Sequence, residues 1–544
     1  MVDLFLVSPP PRACFSVPFS PPPRFNLPMP SDSPPEAPRP RSLRRALPLI
    51  LVAAFLIRAH ACLHLGCIDR NGVQFVNFAR QLALDPADAM RRTTRQPAFS
   101  ILLLGAQRLL RPVLGDTPEA WQLAGQFLAL LGGLAVVAAV YLLARRLFDD
   151  TTATIAAVFA ALWPQGVELS SGVLSDMPHL ALYLLALILA FDALTRPHPA
   201  HLAACGALCG LAYLFKQEAL GLLAAISICW LWPDPVRSRR ARALGFAVFL
   251  AAFVVVASPH SLMTGHLMPN KNPLDAARRL FSAAPPGDTA HVLAYFVSPW
   301  MAPGKLVEDW LRSGRYVIPT LFLVGLFMKS APRAAPAGRR LALAAVLLHA
   351  ALVEARVIVY GESSVRYAAI PAALCIPWAA SALLHVLGAL SARLPAERRD
   401  RAAALHVIGL LVCLAPLFAY STRPQEEAKA HYPAAGRWLR ENLAPDATVM
   451  AHENLEQLLF YANLIDPEPR WIRCPRNADL DALRPLLVQQ RPDWFADARG
   501  SHHDELDEAA HFRRLAERPP PELTPAQAFG PANRRVLFFR VRQD

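Results

Sequence analysis

Apolar residues along this chain gather into runs of helix length. Eleven of them read as membrane-spanning segments, near 46–65, 121–144, 151–167, 177–195, 201–216, 218–232, 243–258, 314–329, 341–359, 366–387 and 404–420. A helix needs about 20 apolar residues to cross the hydrocarbon core. One further run, PAFSILLLGAQRLLR at 97–111, is apolar but short and carries Arg108 and Arg111. Its placement sets the sidedness of everything downstream. If it does not span, the clusters Arg145-Arg146, Arg237/Arg239/Arg240/Arg242, Lys329/Arg333/Arg339/Arg340 and Arg393/Arg398/Arg399/Arg401 all fall on the side of the basic N-terminus. If it spans, all four face outward, against the positive-inside rule. The run is therefore read as an interfacial or re-entrant helix. This choice puts 66–120, 168–176, 259–313, 360–365 and the tail 421–544 on the outer face.

The two ends differ from the middle. Residues 1–45 are Pro-rich, lack periodicity and end in Arg39, Arg41, Arg44 and Arg45, so they read as a disordered cytoplasmic segment. No short apolar core with a cleavage site precedes the first span, which reads as an uncleaved anchor. Met29 offers an alternative start, a question for N-terminal sequencing. From about 421 the chain turns to mixed, charged sequence. GRWLREN opens an amphipathic helix, and ATVMAHE, RPDWFADA and RRVLFFRV read as short strands. The expected fold class is thus a polytopic α-helical membrane domain (46–420) with a small extracytoplasmic α/β domain (421–544).

Composition agrees. The 544 residues are 54% hydrophobic and only 18% charged, too apolar for a soluble domain. A net charge of +13 would suggest nucleic acid in a soluble protein, but here it reflects cytoplasmic-loop Lys and Arg, and no nucleic-acid partner is expected. The nine cysteines lie mostly within apolar runs without CxxC spacing or Cys/His clusters. They read as small buried hydrophobes and not as disulfides or a zinc site. The loop 66–120 breaks the charge rule with Arg70, Arg80, Arg91, Arg92 and Arg95. Such charge suits an anionic headgroup, or is merely what a long loop tolerates.

Ionisable groups at helix mouths are candidates for chemistry. Asp69 begins the first outer loop, Glu168 and Asp176 flank the second, Lys216 and Glu218 sit at a hairpin tip, and Glu362, Arg366 and Tyr367 border another short loop. Carboxylates and cations on one face suit general-base catalysis on a hydroxyl with a phosphate leaving group held by the cations. No cofactor is assigned, although a carboxylate pair is also compatible with a divalent cation. Each residue has a plainer reading. Asp176 before Met177-Pro178 suits a helix N-cap, Lys216 and Glu218 suit a mutual ion pair or snorkelling, and Arg366-Tyr367 suits an interface anchor. His260 and His266 read as surface residues of the third loop. Phosphate-binding Gly loops, nucleophile elbows and HExxH are absent.

Six segments in order, GVQFVNFARQL, RQPAFSILLLGAQRLL, YLLARRLF, SSGVLSDMPHLALYLLALILAF, GLAYLFKQEALGLL and VRYAAIPAALCIPW, make residues 46–390 resemble the family 39 type of glycosyltransferase with the GT-C fold. That superfamily includes protein O-mannosyltransferases and lipid A aminoarabinose transferases. The resemblance implies transfer of a sugar from a polyprenyl-phosphate donor to a glycan, lipid or protein acceptor on the outer face of the cytoplasmic membrane. It implies an acid at the start of the first outer loop and a second acid matching Asp176. Two departures stand out. Relatives carry the acid directly before the GVxF-like stretch, where this chain has Asn71, with Asp69 two residues upstream; asparagine cannot act as a base. A single Pro97 stands where relatives carry His-Pro or Pro-Pro. Either Asp69 substitutes through a shift of the loop, or catalysis rests on Asp176, or activity is lost, and Asp69 is favoured. The resulting expectation makes Asp69 and Asp176 catalytic. Arg95, Lys216 and Arg366 would face the donor phosphate, and Glu218, Glu362 and Tyr367 other parts of the substrates. The rivals are a lipid-linked sugar transporter, for which no internal repeat is found, and an inactive scaffold.

Overall fold

The computed structural model describes residues 41–93, 95–196, 198–233, 238–265, 302–327, 336–360, 364–395, 401–425, 427–465, 470–474, 480–498, 508–531 and 534–542. Glu362, His266, Lys329, Arg333 and the Pro-rich N-terminus lie outside them. The described residues from Leu43 onward form one compact unit.

Helices occur at all eleven predicted spans. They are α1 (Arg41–Leu63), α5 (Pro118–Leu147), α6 (Asp150–Ala161), α8 (Asp176–Thr195), α9 (Pro199–Phe215), α10 (Ala219–Leu231), α11 (Arg239–Thr264), α13 (Val317–Phe327), α14 (Pro336–Tyr360), α15 (Ala369–Ala392) and α16 (Ala402–Ser421). Among the described residues, six stretches are long and apolar enough to cross a membrane: Ala46–Leu63, Pro118–Leu147, Asp176–Thr195, Arg239–Thr264, Val365–Ala392 and Ala402–Ser421. α6, α9, α10 and α13 are shorter apolar helices. Helices α1, α11 and α16 leave Val52, Leu56, Val255, Leu411 and Val412 exposed, the apolar outer surface that a lipid solvent demands.

The span predicted at 151–167 is broken. α6 ends at Ala161, Trp163 is extended (φ −67°, ψ 110°), and α7 (Pro164–Ser171) begins at a proline. Pro164 has no N–H to give α6 and pushes the residue before it out of the helical region, so the chain turns here. The freed carbonyls find a partner: fully buried Arg58 of α1 donates from Nη1 to Ala161 (3.0 Å) and from Nη2 to Ala160 (3.2 Å). Its Nε reaches Ser170 Oγ at 3.2 Å. A guanidinium inside a spanning helix is tolerated because its hydrogen bonds are internal.

The bundle centre is α5 against α8, with α9 and α11 beyond. Gly132 on α5 permits this approach, since a Cβ there would lie 2.5 Å from the Pro178 nitrogen of α8. The segment 66–120 is folded as well. It holds α2 (Arg70–Leu84), α3 (Pro86–Arg92) and the amphipathic α4 (Ala98–Leu114), which packs on α2 and α5. Beyond the span predicted at 243–258, α11 runs through Pro259 to Thr264, so residues 259–264 are helical, and α12 (Ala302–Ser313) follows later.

The tail forms a five-stranded sheet of order β2-β1-β3-β5-β4, with β1 (Val449–His452), β2 (Trp471–Cys474), β3 (Trp494–Ala498), β4 (Leu523–Phe529) and β5 (Val536–Val541). β1 is parallel to β2 and β3, while β5 is antiparallel to β3 and β4. Helices α17 (Tyr432–Asn442), α18 (Glu456–Tyr461), α19 (Leu480–Gln490) and α20 (Glu508–Glu517) complete it. One apolar core joins this domain to the segment 66–120: Ile68, Val73, Phe75 and Val76 cluster with Leu455, Leu458, Leu459 and Phe460.

Candidate active site

Asp69 precedes α2 as its N-cap, with Oδ1 accepting the Asn71 N–H at 2.7 Å. The extended backbone of the cap turns the carboxylate back over the first turn, where unsatisfied N–H groups favour negative charge. Asp69 keeps 30% of its side chain exposed.

Asp176 begins α8 but does not cap it; the N-cap is Ser175, whose side chain makes no capping bond. Both Asp176 oxygens are instead taken by cations. Oδ1 accepts from Lys216 Nζ and Oδ2 from Arg366 Nη2, each at 2.8 Å, and the carboxylate is 4% exposed. Lys216 ends α9, and Arg366 sits in a 3₁₀ turn (Val365–Ala368) ahead of α15. Arg366 Nη1 also lies 3.8 Å from Asp69 Oδ1. One guanidinium therefore bridges the two acids, and the four residues form an alternating chain Asp69–Arg366–Asp176–Lys216. Lys216 thus pairs directly with Asp176.

Arg95, between α3 and α4, donates from Nη2 to Asn71 Oδ1 at 3.3 Å and stacks 5.2 Å from the Phe75 ring centre. Burial lowers its pKa, partly offset by Glu456. Asn71, at the position where an acid was expected, thus caps Asp69 through its backbone and receives Arg95 through its side chain.

A pocket opens beside the pair, lined by Asp176, Lys216, Glu218, Arg366, His179 and His349. His179 of α8 holds the Ala212 carbonyl at 3.0 Å with Nδ1, and among the described residues its Nε2 has no partner. Among the described residues, Nδ1 of buried His349 on α14 and the Tyr183 hydroxyl, edge-on to both rings, also have no partner. Tyr367 lines the same pocket. Polar atoms buried without partners are costly, so these three suit a polar ligand or water.

Set against solved structures, this arrangement of helices and sheet has close counterparts. The chain matches an archaeal oligosaccharyltransferase AglB from Archaeoglobus fulgidus, in complex with an inhibitory peptide and a dolichol-phosphate, at a TM-score of 0.56 and 15% identity, over 92% of this chain and 74% of that one. It matches ArnT from Cupriavidus metallidurans bound to undecaprenyl phosphate at 0.54 and 14% identity, over 92% of this chain and 98% of that one. The chain has the GT-C fold. A third GT-C neighbour, the arabinofuranosyltransferase AftD from Mycobacteria, matches at 0.51 and 15% identity, over 92% of this chain but 42% of that longer one. Residues 114–262 match the family model described as Dolichyl-phosphate-mannose-protein mannosyltransferase. No curated protein matches in sequence. The matched stretch contains Asp176, Lys216 and Glu218 but neither Asp69 nor Arg366, so the cluster is assembled across its boundary.

The GT-C fold brings Asp69, Asp176, Arg95, Lys216, Glu218, Arg366 and Tyr367 to one end of the bundle. Glu362 lies outside the described residues, and Glu168 is exposed on α7. Of the basic residues of 66–120, Arg92 pairs with Asp88, Arg80 stacks over Trp121 at 5.4 Å, and Arg70 reaches Glu456 of α18. Arg95 joins the site. His260 is buried and not a surface residue. His179, His349 and Tyr183 went unnoticed because each sits inside an apolar run; a polar side chain at membrane depth was the available signal. Among the described residues, no three His, Cys, Asp or Glu side chains form a metal-binding group.

Proposed function

We propose that this chain is a membrane glycosyltransferase that moves a sugar from a polyprenyl-phosphate donor to an acceptor hydroxyl on the outer face of the cytoplasmic membrane. The N-terminus would lie in the cytoplasm and the C-terminal domain outside. The observation that carries this reading is the shared guanidinium. Arg366 spans two acids whose surroundings suit them to different tasks.

Asp69 is part-exposed and hydrogen-bonded on one oxygen, so it can take a proton. Asp176 has both oxygens held by cations within hydrogen-bond distance; such a carboxylate is a poor base and a strong organiser. In the proposed step the acceptor oxygen attacks the anomeric carbon while Asp69 removes its proton. The bond from that carbon to the phosphate oxygen breaks on the opposite side, inverting the centre. The leaving phosphate carries away the electron pair, and Arg366, Lys216 and Arg95 offset its charge. Glu218, His179, His349 and Tyr367 line the space for sugar hydroxyls. Support for the donor class comes from the AglB and ArnT structures, which hold dolichol-phosphate and undecaprenyl phosphate.

The test is transfer of label from radiolabelled polyprenyl-phosphate sugars in membranes containing wild-type protein or Asp69→Asn. Wild-type transfer with a loss of roughly 10²-fold or more in the variant is expected for removal of a general base. Full activity in Asp69→Asn would overturn the assignment, and no donor consumption by wild type would favour a scaffold.

A further inference from the structure

The peptide that enters Asp69 is held from the far end of the chain. Ile68 lies just before α2, where the helix's own hydrogen bonds cannot fix it. Its N–H donates to Tyr461 Oη at 2.9 Å, and its carbonyl accepts from Gln457 Nε2. On the other side of Asp69, Arg70 Nε donates to Glu456 Oε2 at 3.0 Å. Three residues of α18, a single short helix of the C-terminal domain, thus grip both neighbours of Asp69 across nearly 400 positions of sequence. They are themselves anchored. Lys429 Nζ donates to Gln457 Oε1 at 2.7 Å, which turns the amide nitrogen toward Ile68. Tyr461 passes its own proton to Gln122 Oε1 on α5 at 2.7 Å, tying domain, loop and bundle at one hydroxyl. Tyr461 is buried, and burial pushes its phenol above its ordinary range, so it stays a hydroxyl that accepts and donates at once.

We propose that Glu456, Gln457 and Tyr461 are positioning residues that set the Asp69 carboxylate, so that the docked C-terminal domain is part of the catalytic apparatus. This rests on the proposed role of Asp69. The physical reason is reach. Asp69 stands 3.8 Å from Arg366, and an ångström of slack in its backbone would uncouple it from both the guanidinium and an acceptor hydroxyl.

The experiment uses full-length protein in nanodiscs with two readouts, amide hydrogen exchange across 66–72 and steady-state transfer from a polyprenyl-phosphate sugar. Tyr461→Phe should speed exchange at Ile68 and lower kcat about tenfold with donor KM changed less than twofold. Glu456→Arg should do likewise, and the charge swap Arg70→Glu with Glu456→Arg should restore both readouts toward wild type, which a general loss of stability would not allow. The proposal is overturned if exchange and turnover do not move together, or if the swap fails to restore turnover while unfolding at the wild-type temperature. If wild type transfers nothing, the transferase reading fails, and unchanged exchange in Tyr461→Phe overturns the grip by itself.

Discussion

Asp176 and Asp69 approach one guanidinium from regions built in different ways. The Asp176 end is made inside the bundle: α5 and α8 touch through Gly132 and Pro178, Lys216 arrives on α9, and the carboxylate is sealed from water. The Asp69 end is a loop outside the bundle. It is steadied by a domain that begins more than three hundred residues later and kept open to solvent. The difference fits the proposed division of labour. A base must exchange protons with substrate and so needs access, whereas a group that fixes two cations works best where water cannot loosen it.

If the Asp176 end is a sealed ion cluster, its loss should cost far more than a polar contact is worth. Asp176→Asn leaves half-buried Lys216 and Arg366 without the carboxylate that both hold, with only Glu218 and Asp69 remaining nearby. A loss of about 3–5 kcal/mol is expected, read as a lowered thermal midpoint in detergent. An unchanged midpoint would mean that water enters the cluster. Arg58→Leu should follow at about 3 kcal/mol, because the Ala160 and Ala161 carbonyls lose their donor in the membrane interior. The same midpoint measures it, and transfer by the surviving folded protein should remain.

Gly132→Ala sharpens the comparison within the bundle. Its new Cβ meets the Pro178 backbone nitrogen, which cannot swing away as a side chain tip can. About 1–3 kcal/mol of destabilisation is expected, together with reduced transfer, because Asp176 lies two residues before Pro178. The smallest effect belongs to the loop surface. Arg92→Ala breaks an exposed pair with Asp88 and should move the midpoint by less than about 0.5 kcal/mol with transfer intact.

Much of this was legible from residue order, and what was not has physical causes. The helices were visible because lipid demands continuous apolar runs. The break at Trp163-Pro164 hid inside one such run, and only the proline marked it. α2 escaped because charge drew the eye to the arginines of 66–120, although Val73, Phe75, Val76, Ala79 and Leu82 repeat with helical spacing and are all buried. β1, β3 and β5 announced themselves as apolar runs. β2 has four residues, and β4 is an edge strand interrupted at Pro525 with a largely exposed face, so neither carries the pattern. Within the site the two acids and their cations were readable as helix-mouth charges. That Arg366 joins them, and that α18 grips the neighbours of Asp69, depends on contacts across 190 and 393 positions, which no local pattern encodes.

The central claim is that the two acids do different work, and the measurement that tests it most directly is kcat and donor KM for Asp69→Asn beside Asp176→Asn. In purified protein that remains folded at the assay temperature, Asp69→Asn is expected to lose kcat with donor KM nearly unchanged. Asp176→Asn is expected to raise donor KM as Lys216 and Arg366 lose their organiser. Equal losses of the same kind in both variants, or a collapse of kcat confined to Asp176→Asn, would contradict the account.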